Sequence, residues 1–431
     1  MIANWNTYKE VYKSEWSFFL LLFALYVGQG ISYGPICLFH FVLPVYLFDQ
    51  FRKGISFKSL LDKKVWPFHL LAVWILISSC WNTIDFNYLY YYSLGYAVFI
   101  LLWLKKRLLE QHFMALVVFF GMLLGLDLLI GTLEFITPFR YPISRISSIN
   151  HLFGRDYSIF GTGSECFDMN YVLSSPTGFH WNQNNYALVL LVFLPFLKFI
   201  RKNFLRNVLR ILVLLLILAA GSRLGFIVAS IITLITIIYE YQTIRTGFFP
   251  LLFLLVVYTD GLYFLPLGSK KVKEVALVSN SVFNERFPEH CYDHLNSDNS
   301  RKELALNGLE LVKQHPLAGL GAGGFTNEMI RRNKAEGPDS SSVVNAHNYL
   351  IELLVDFGFF GLIPLGWIIF NFLNGLWKTH PEIKIAGILY SFALFAGTIM
   401  VSSLVYFIPV YLSFFLLYIY LNGQKKQETF S

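Results

Sequence analysis

The chain of 431 residues is 55% hydrophobic, 18% aromatic and only 14% charged, with a mean hydropathy of +0.54. That composition excludes an ordinary soluble domain and points to an all-α polytopic membrane protein. The formal charge of +7 collects in short loops, so it is read as membrane topology, and a nucleic-acid partner is set aside.

A spanning helix needs roughly 20 mostly apolar residues. About twelve segments qualify, near residues 17–32, 33–49, 66–81, 88–104, 113–136, 184–200, 207–220, 223–240, 248–266, 348–373, 385–401 and 405–421. The pair around residue 221 and the last two are tight enough for half-spans or interfacial helices. The first apolar run leads directly into another, so no cleaved leader is expected before Ser17.

With the N-terminus cytoplasmic, every loop on that side is basic. These loops hold Arg52, Lys53, Lys58, Lys63 and Lys64; Lys105, Lys106 and Arg107; Lys198, Arg201, Lys202, Arg206 and Arg210; Arg245; Lys378 and Lys384; and the tail with Lys425 and Lys426. The expected organisation is N-terminal helices over 1–137, an extracytoplasmic loop over 138–183, helices over 184–266 carrying a Gly-Ser-Arg turn, a large extracytoplasmic loop over 267–347, and C-terminal helices over 348–431.

Within the helices, "YLYYYSLGY" at 88–96 reads as an interfacial aromatic belt and lipid-facing surface. Sugar stacking on an outer Tyr or on Trp181 is the other reading. In the large loop, "SRKELALNGLELVKQHPLAGLGAGGF" at 300–325 begins with an amphipathic helix, placing Leu304, Ala305, Leu309, Leu311 and Val312 on one face. Leu306 breaks that pattern and Gly308 weakens it, while Pro316 ends the helix. The run "GLGAGG" satisfies a dinucleotide fingerprint literally, but no strand precedes it and no βαβ unit surrounds it. A turn folding the loop back over the membrane face is the reading adopted.

The next segment, "NAHNYLIELLVDFGFFGLI" at 345–363, carries polar residues into an apolar helix. Asn348, Glu352 and Asp356 are successive i+4 neighbours on one face, with His347 beside them at the helix start. Such residues at membrane depth normally face a cavity or a partner. Gly358 and Gly361 read as close helix packing.

"GSRLG" at 221–225, an outer-loop Arg301 ahead of "HPLAGLGAGGF", and "AHNYLIELLVDFGFFGL" at 346–362 resemble, in order, the signature of the bacterial O-antigen ligase and Wzy-type polysaccharide polymerase superfamily. "TGFHWNQNNYALVLLVFLPF" at 177–196, with Asn184, resembles that family's Asn-bearing helix start. The resemblance covers about 177–373, and the first five helices match only in kind. One departure is Asp356, where the family usually has Glu nine residues after the His. The resemblance implies a GT-C-like membrane glycosyltransferase that moves a glycan from undecaprenyl pyrophosphate to an acceptor hydroxyl on the outer face of the plasma membrane. It implies no nucleotide sugar, no cofactor and no obligatory metal. The implied partners are the lipid-linked donor, an acceptor glycan or lipid A core, the bilayer, and a chain-length regulator protein.

The chemistry can be argued beside the family. Cleaving a glycosyl pyrophosphate leaves a polyanion, and arginine presents a planar fork of donors suited to phosphate; Arg223 and Arg301 are the candidates. The acceptor hydroxyl must lose a proton as it attacks C1, and a neutral His can take it near pH 7; His347 is that candidate. Glu352 and Asn348 could hold the imidazole or the acceptor sugar, with Ser222, Asn184 and Asp356 in support.

Blander roles stand beside these. Arg223 at a helix boundary could snorkel to headgroups. Arg301 could be a solvated charge, with Arg286, Arg331 and Arg332 as rivals. His347 and Asn348 could simply cap the helix. No Cys-x-x-Cys, His-Glu-x-x-His or Walker motif occurs. Cys37 and Cys80 fall in helices, whereas Cys166 and Cys291 fall in outer loops, either free or bridged to each other. The reading is a polymerase joining lipid-linked repeat units into O-antigen, capsule or exopolysaccharide. The ligase of the same superfamily is the alternative, and a lipid-linked oligosaccharide flippase is the more distant one, disfavoured because no internal repeat is visible.

Overall fold

The computed structural model describes residues 5–33, 36–54, 56–81, 85–144, 146–154, 175–241, 297–336, 348–400, 404 and 406–423, with Arg223 and Arg301 placed by backbone alone. In chain order the helices are α1 (Trp5–Ser14), α2 (Trp16–Val27), α3 (Leu38–Lys53), α4 (Trp66–Ser78), α5 (Phe86–Leu104), α6 (Lys106–Gln111), α7 (Phe113–Ile136), α8 (Gln183–Phe193), α9 (Asn203–Ala219), α10 (Arg223–Tyr241), α11 (Ser297–Gln314), α12 (Gly324–Glu336), α13 (Tyr349–Lys378), α14 (Pro381–Met400) and α15 (Ile408–Gly423). A two-stranded antiparallel ribbon, β1 (Ser32–Tyr33) and β2 (Ile36–Cys37), links α2 to α3 with Ser32 opposite Cys37.

The all-α expectation holds, and the described residues confirm part of the expected count of spans. Among the described residues α7, α13 and α14 are long and apolar enough to cross a membrane, whereas Trp16–Val27, Trp66–Trp81, Leu224–Glu240 and Ile408–Gly423 are shorter apolar helices. Local chemistry explains part of the shortening. The expected span 184–200 leaves α-geometry at Phe193 because Pro195 lacks an N–H, and the chain continues as a tighter turn over Leu194–Phe199. The expected span 248–266 lies outside the described residues.

α8 forms the centre. Its residues Ala187–Val192 have no exposed surface on any face, the pattern of a helix surrounded by others. The main core gathers α2, α5, α7, α9, α10, α14 and α15 around it.

The two ends of the bundle differ in chemistry. At one end Lys105 pairs with Glu15 at 2.7 Å, Lys106 pairs with Asp62 at 2.9 Å, and Tyr418 donates to the Lys64 carbonyl. Arg206 and Arg210 belong to this end, but they are not loop charges as expected. They lie on α9, 9% and 2% exposed, and Arg210 forks onto both oxygens of Glu240 at 2.9 and 2.6 Å while Arg206 reaches Glu240 at 3.1 Å. Burial of two guanidiniums is tolerable because Glu240, opposite them on α10, supplies the counter-charge. The other end gathers the Gly-Ser-Arg turn, residues 316–325, the first turn of α13, and the end of α14, where Met400 lies against Gly225.

Candidate functional site

The start of α13 is built by its cap. The Asn348 side chain accepts from the backbone N–H of Leu350 at 3.1 Å and of Ile351 at 3.3 Å, which satisfies donors that a helix start leaves unpaired. One turn on, Glu352 is 1% exposed. Tyr88, Tyr92, Tyr349 and Tyr406 all lie within electrostatic reach of its carboxylate. The rings interlock edge to face, with Tyr88 5.0 Å and Tyr91 4.7 Å from Tyr406, and the Tyr88 hydroxyl is 2.8 Å from that of Thr326. The aromatic belt expected at 88–96 is therefore partly an internal ring: Tyr88 is buried and Tyr91 and Tyr92 half-buried, while Tyr90 remains exposed. Their five-fold run gave a signal for tyrosine but none for the face it would take.

Two turns into α13 the helix breaks. Gly358 has φ +59°, outside the helical region, so it is a kink and not the helix-packing residue expected. A break inside lipid exposes backbone groups that must find partners, and the glycine-rich turn supplies them. The Val355 and Asp356 carbonyls, deprived of their helical donors, accept from Leu320 at 2.8 Å and Gly321 at 2.7 Å; the N–H groups of Phe359 and Phe360 donate to the carbonyls of Pro316 at 2.9 Å and Leu317 at 3.0 Å. Trp74 Nε1 takes the Phe357 carbonyl at 2.9 Å. The approach is close enough that a Cβ at Gly319 would stand 2.4 Å from the Asp356 carbonyl oxygen. Folding the loop back through its glycines, as expected, is thus the device that completes α13.

Asp356 finishes the same joint. It has no exposed surface, and its two oxygens accept from the N–H groups of Gly323 at 2.9 Å and Phe325 at 3.0 Å. It caps α12 from another helix, a carboxylate at the positive end of a helix dipole. α11 packs on the same segment through Leu304, Gly308 and Leu311; a Cβ at Gly308 would stand 2.3 Å from Ile351 Cγ2. Leu309, expected on this buried face, is 46% exposed, because Gly308 takes the contact. Arg331 and Arg332, rivals to Arg301, are engaged by Glu328 at 2.7 and 3.1 Å. Arg331 first, then Arg332, holds the Glu328 carboxyl below its ordinary value.

Sequence reasoning missed a second pair of buried acids. Asp127 and Glu134, both on α7 with no exposed surface, hold the chain that leads into α8. Glu134 accepts from the N–H groups of Thr177 at 2.6 Å, Gly178 at 2.8 Å and Tyr141 at 2.9 Å. Asp127 accepts from the Phe179 N–H at 3.0 Å and meets His180 Nε2 at 2.9 Å and the Tyr26 hydroxyl at 3.1 Å. Two acids seven residues apart in an otherwise apolar span share one helix face, and that spacing was the available signal. The joint delivers Asn182, which caps α8 through the Asn185 N–H at 2.9 Å, and leaves Asn184 half-buried in the first turn.

Of the residues singled out in the sequence, Glu352, Asp356 and Asn348 come together with the 316–325 turn. Ser222, 8% exposed, accepts the Phe226 N–H on its carbonyl and starts α10. Neither Ser222 nor Asn184 makes a hydrogen bond to the α13 group among the described residues. Arg223 and Arg301 sit on α10 and α11 by backbone, and His347, Cys166, Cys291 and Arg286 lie outside the described residues.

A family model described as O-antigen ligase matches residues 208–366. That range holds the Gly-Ser-Arg turn, α11, the glycine-rich turn, α12 and α13 through its kink. No curated protein matches the chain. Members of the matched family are glycosyltransferase-like membrane enzymes. Residues 208–366 are thus similar to the O-antigen ligase family, which supports the O-antigen ligase and Wzy superfamily, and the apolar helices agree with an integral membrane protein.

Proposed function

We propose that the chain is a polymerase that joins undecaprenyl-pyrophosphate-linked repeat units on the outer face of the plasma membrane, using His347, Glu352, Arg223 and Arg301. The observation that carries this is the step between α11 and α13. Gly308 stands opposite Ile351, Pro316 opposite Phe359 and Leu317 opposite Phe360. Leu304 and Leu311 pack with Val355 in one cluster, so α11 lies along the first turns of α13. Arg301, Leu304, Gly308 and Leu311 share one helix face by spacing, so Arg301 stands on the face of α11 that packs on α13.

In the proposed reaction the acceptor hydroxyl oxygen forms a bond to C1 of the donor sugar while the bond from C1 to phosphate oxygen breaks. The hydroxyl proton passes to His347, and undecaprenyl pyrophosphate leaves. Arg223 and Arg301 stabilise the charge developing on that leaving group. Glu352, buried one turn into α13 and within electrostatic reach of Tyr88, Tyr92, Tyr349 and Tyr406, orients His347 or the acceptor in this proposal. The lysine-rich end of the bundle faces the cytoplasm in this reading, as the distribution of basic residues supports.

Purified protein with synthetic lipid-linked repeat units tests it. His347→Asn leaves the Asn348 cap of α13 in place and should lower turnover on the order of 100- to 10,000-fold, the range for losing a general base, while donor binding persists. Near-wild-type turnover would leave His347 without a part in the proton transfer. Growth of a glycan ladder from donor alone marks a polymerase; transfer only when lipid A core is added marks the ligase that the family description names.

A further inference from the structure

An open groove runs between α7, α8 with the turn that follows it, and α15, lined by Phe113, Leu116, Phe120, Leu124, Phe196 and Leu417 among others and almost wholly apolar. It lies away from α13 and uses none of the residues proposed for catalysis. Phe113 is the first residue of α7, directly after the basic α6, and Ile200 at the groove's edge is followed by exposed Arg201 and Lys202. From Phe113 to Leu124 the lining rises about 17 Å along α7, close to half of a hydrocarbon core of roughly 30 Å. Gly121 lines it with open space where a side chain would stand.

We propose that this groove seats one acyl chain of an anionic phospholipid drawn from the leaflet at the lysine-rich end, with the lipid phosphate against Arg201 and Lys202. The lining matches a hydrocarbon chain, its length matches one leaflet, and its mouth carries the charge that an acidic headgroup meets. A polyprenyl donor fits less well, since its pyrophosphate would have to stand at the opposite end, beside α13. The inference needs only a membrane-embedded bundle and is independent of the proposed chemistry.

Native mass spectrometry of the full chain, titrated with phosphatidylglycerol or phosphatidylcholine of the same acyl chains, tests it. Wild type should bind phosphatidylglycerol more tightly than phosphatidylcholine. Gly121→Phe places a ring in the groove and should weaken binding at least about tenfold, the loss expected when about two methylenes are shut out. Gly125→Phe is the control: Gly125 also has open space around its Cα, one turn along α7, but does not line the groove, so binding should stay as in wild type. Arg201→Gln with Lys202→Gln should bind both lipids alike. Equal binding by Gly121→Phe and wild type, equal loss in Gly125→Phe, or a headgroup preference that survives the double substitution would overturn the proposal. Displacement of phosphatidylglycerol by a lower concentration of undecaprenyl phosphate would also overturn it, making the groove a seat for the donor's tail.

Discussion

Two loops at the same end of the bundle are held by buried acids, and they are held differently. Residues 320–325 are fixed on α13 by the Asp356 side chain and by backbone bonds across the Gly358 break. Residues 177–180 are fixed on an unbroken α7 by Glu134 and Asp127, with His180 and Tyr26 completing the set. In both places carboxylates deep in the bundle are consumed by backbone N–H groups. An acid in a membrane helix is therefore not by itself a sign of catalysis; what surrounds it decides. Glu352 stands nearest the start of α13, one turn after the Asn348 cap, with Tyr88, Tyr92, Tyr349 and Tyr406 within electrostatic reach.

The comparison can be broken most forcefully at the kink. Gly358→Ala puts a Cβ 2.5 Å from the Leu317 carbonyl oxygen at a φ of +59°. It should cost more than the about 1–3 kcal/mol of backbone strain alone, seen as loss of monodisperse protein after detergent extraction. Asp356→Asn comes next: the amide can accept one N–H where the carboxylate accepts two, and the fold should lose about 1–3 kcal/mol. Thermal unfolding should register that loss while turnover per folded molecule stays within a few-fold. Glu352→Gln should show the reverse, a normal unfolding temperature with impaired turnover. If Asp356→Asn abolished turnover without lowering stability, the distinction between scaffold and chemistry would be lost.

Glu134→Gln should resemble Asp356→Asn but spread its effect less widely, since Glu134 holds only the 177–178 segment and Tyr141. Protease cleavage between residues 138 and 183 should accelerate while the α11–α13 region keeps its protection. The smallest effect concerns pH. The Glu328 carboxyl is held below its ordinary value of 4.5 by Arg331 and Arg332, so the stability it contributes is complete above that value and is lost as pH falls through the lowered one. Its exposure keeps the contribution under about 1 kcal/mol. Hydrogen-exchange protection in α12, relative to the intrinsic rate at each pH, should be level from neutral pH down to the ordinary carboxylate range and fall only below it.

The sequence made legible what depends on neighbours along the chain. The apolar helices, the Asn348 cap and the end of α11 before Pro316 follow from local spacing. What it hid depends on distant partners. The α13 kink is legible only with the 316–325 turn in place, some forty residues earlier, because Gly358 is tolerable only when that turn takes the freed backbone groups. The Arg210–Glu240 pair spans thirty residues of a helical hairpin and looked like two loop cations. The inward face of Tyr88 was set by Thr326 on α12.

The central claim is that α11 brings Arg301 beside the start of α13 to hold the leaving pyrophosphate. Arg301→Lys keeps the charge and removes the fork of donors, so single-turnover transfer from a synthetic undecaprenyl-pyrophosphate donor by purified, correctly folded protein tests it directly. The account predicts a fall of about 100- to 1,000-fold, the effect of losing one well-placed stabilising donor, with unfolding temperature unchanged. Transfer at the wild-type rate by the lysine variant would contradict it and leave Arg301 a solvated charge.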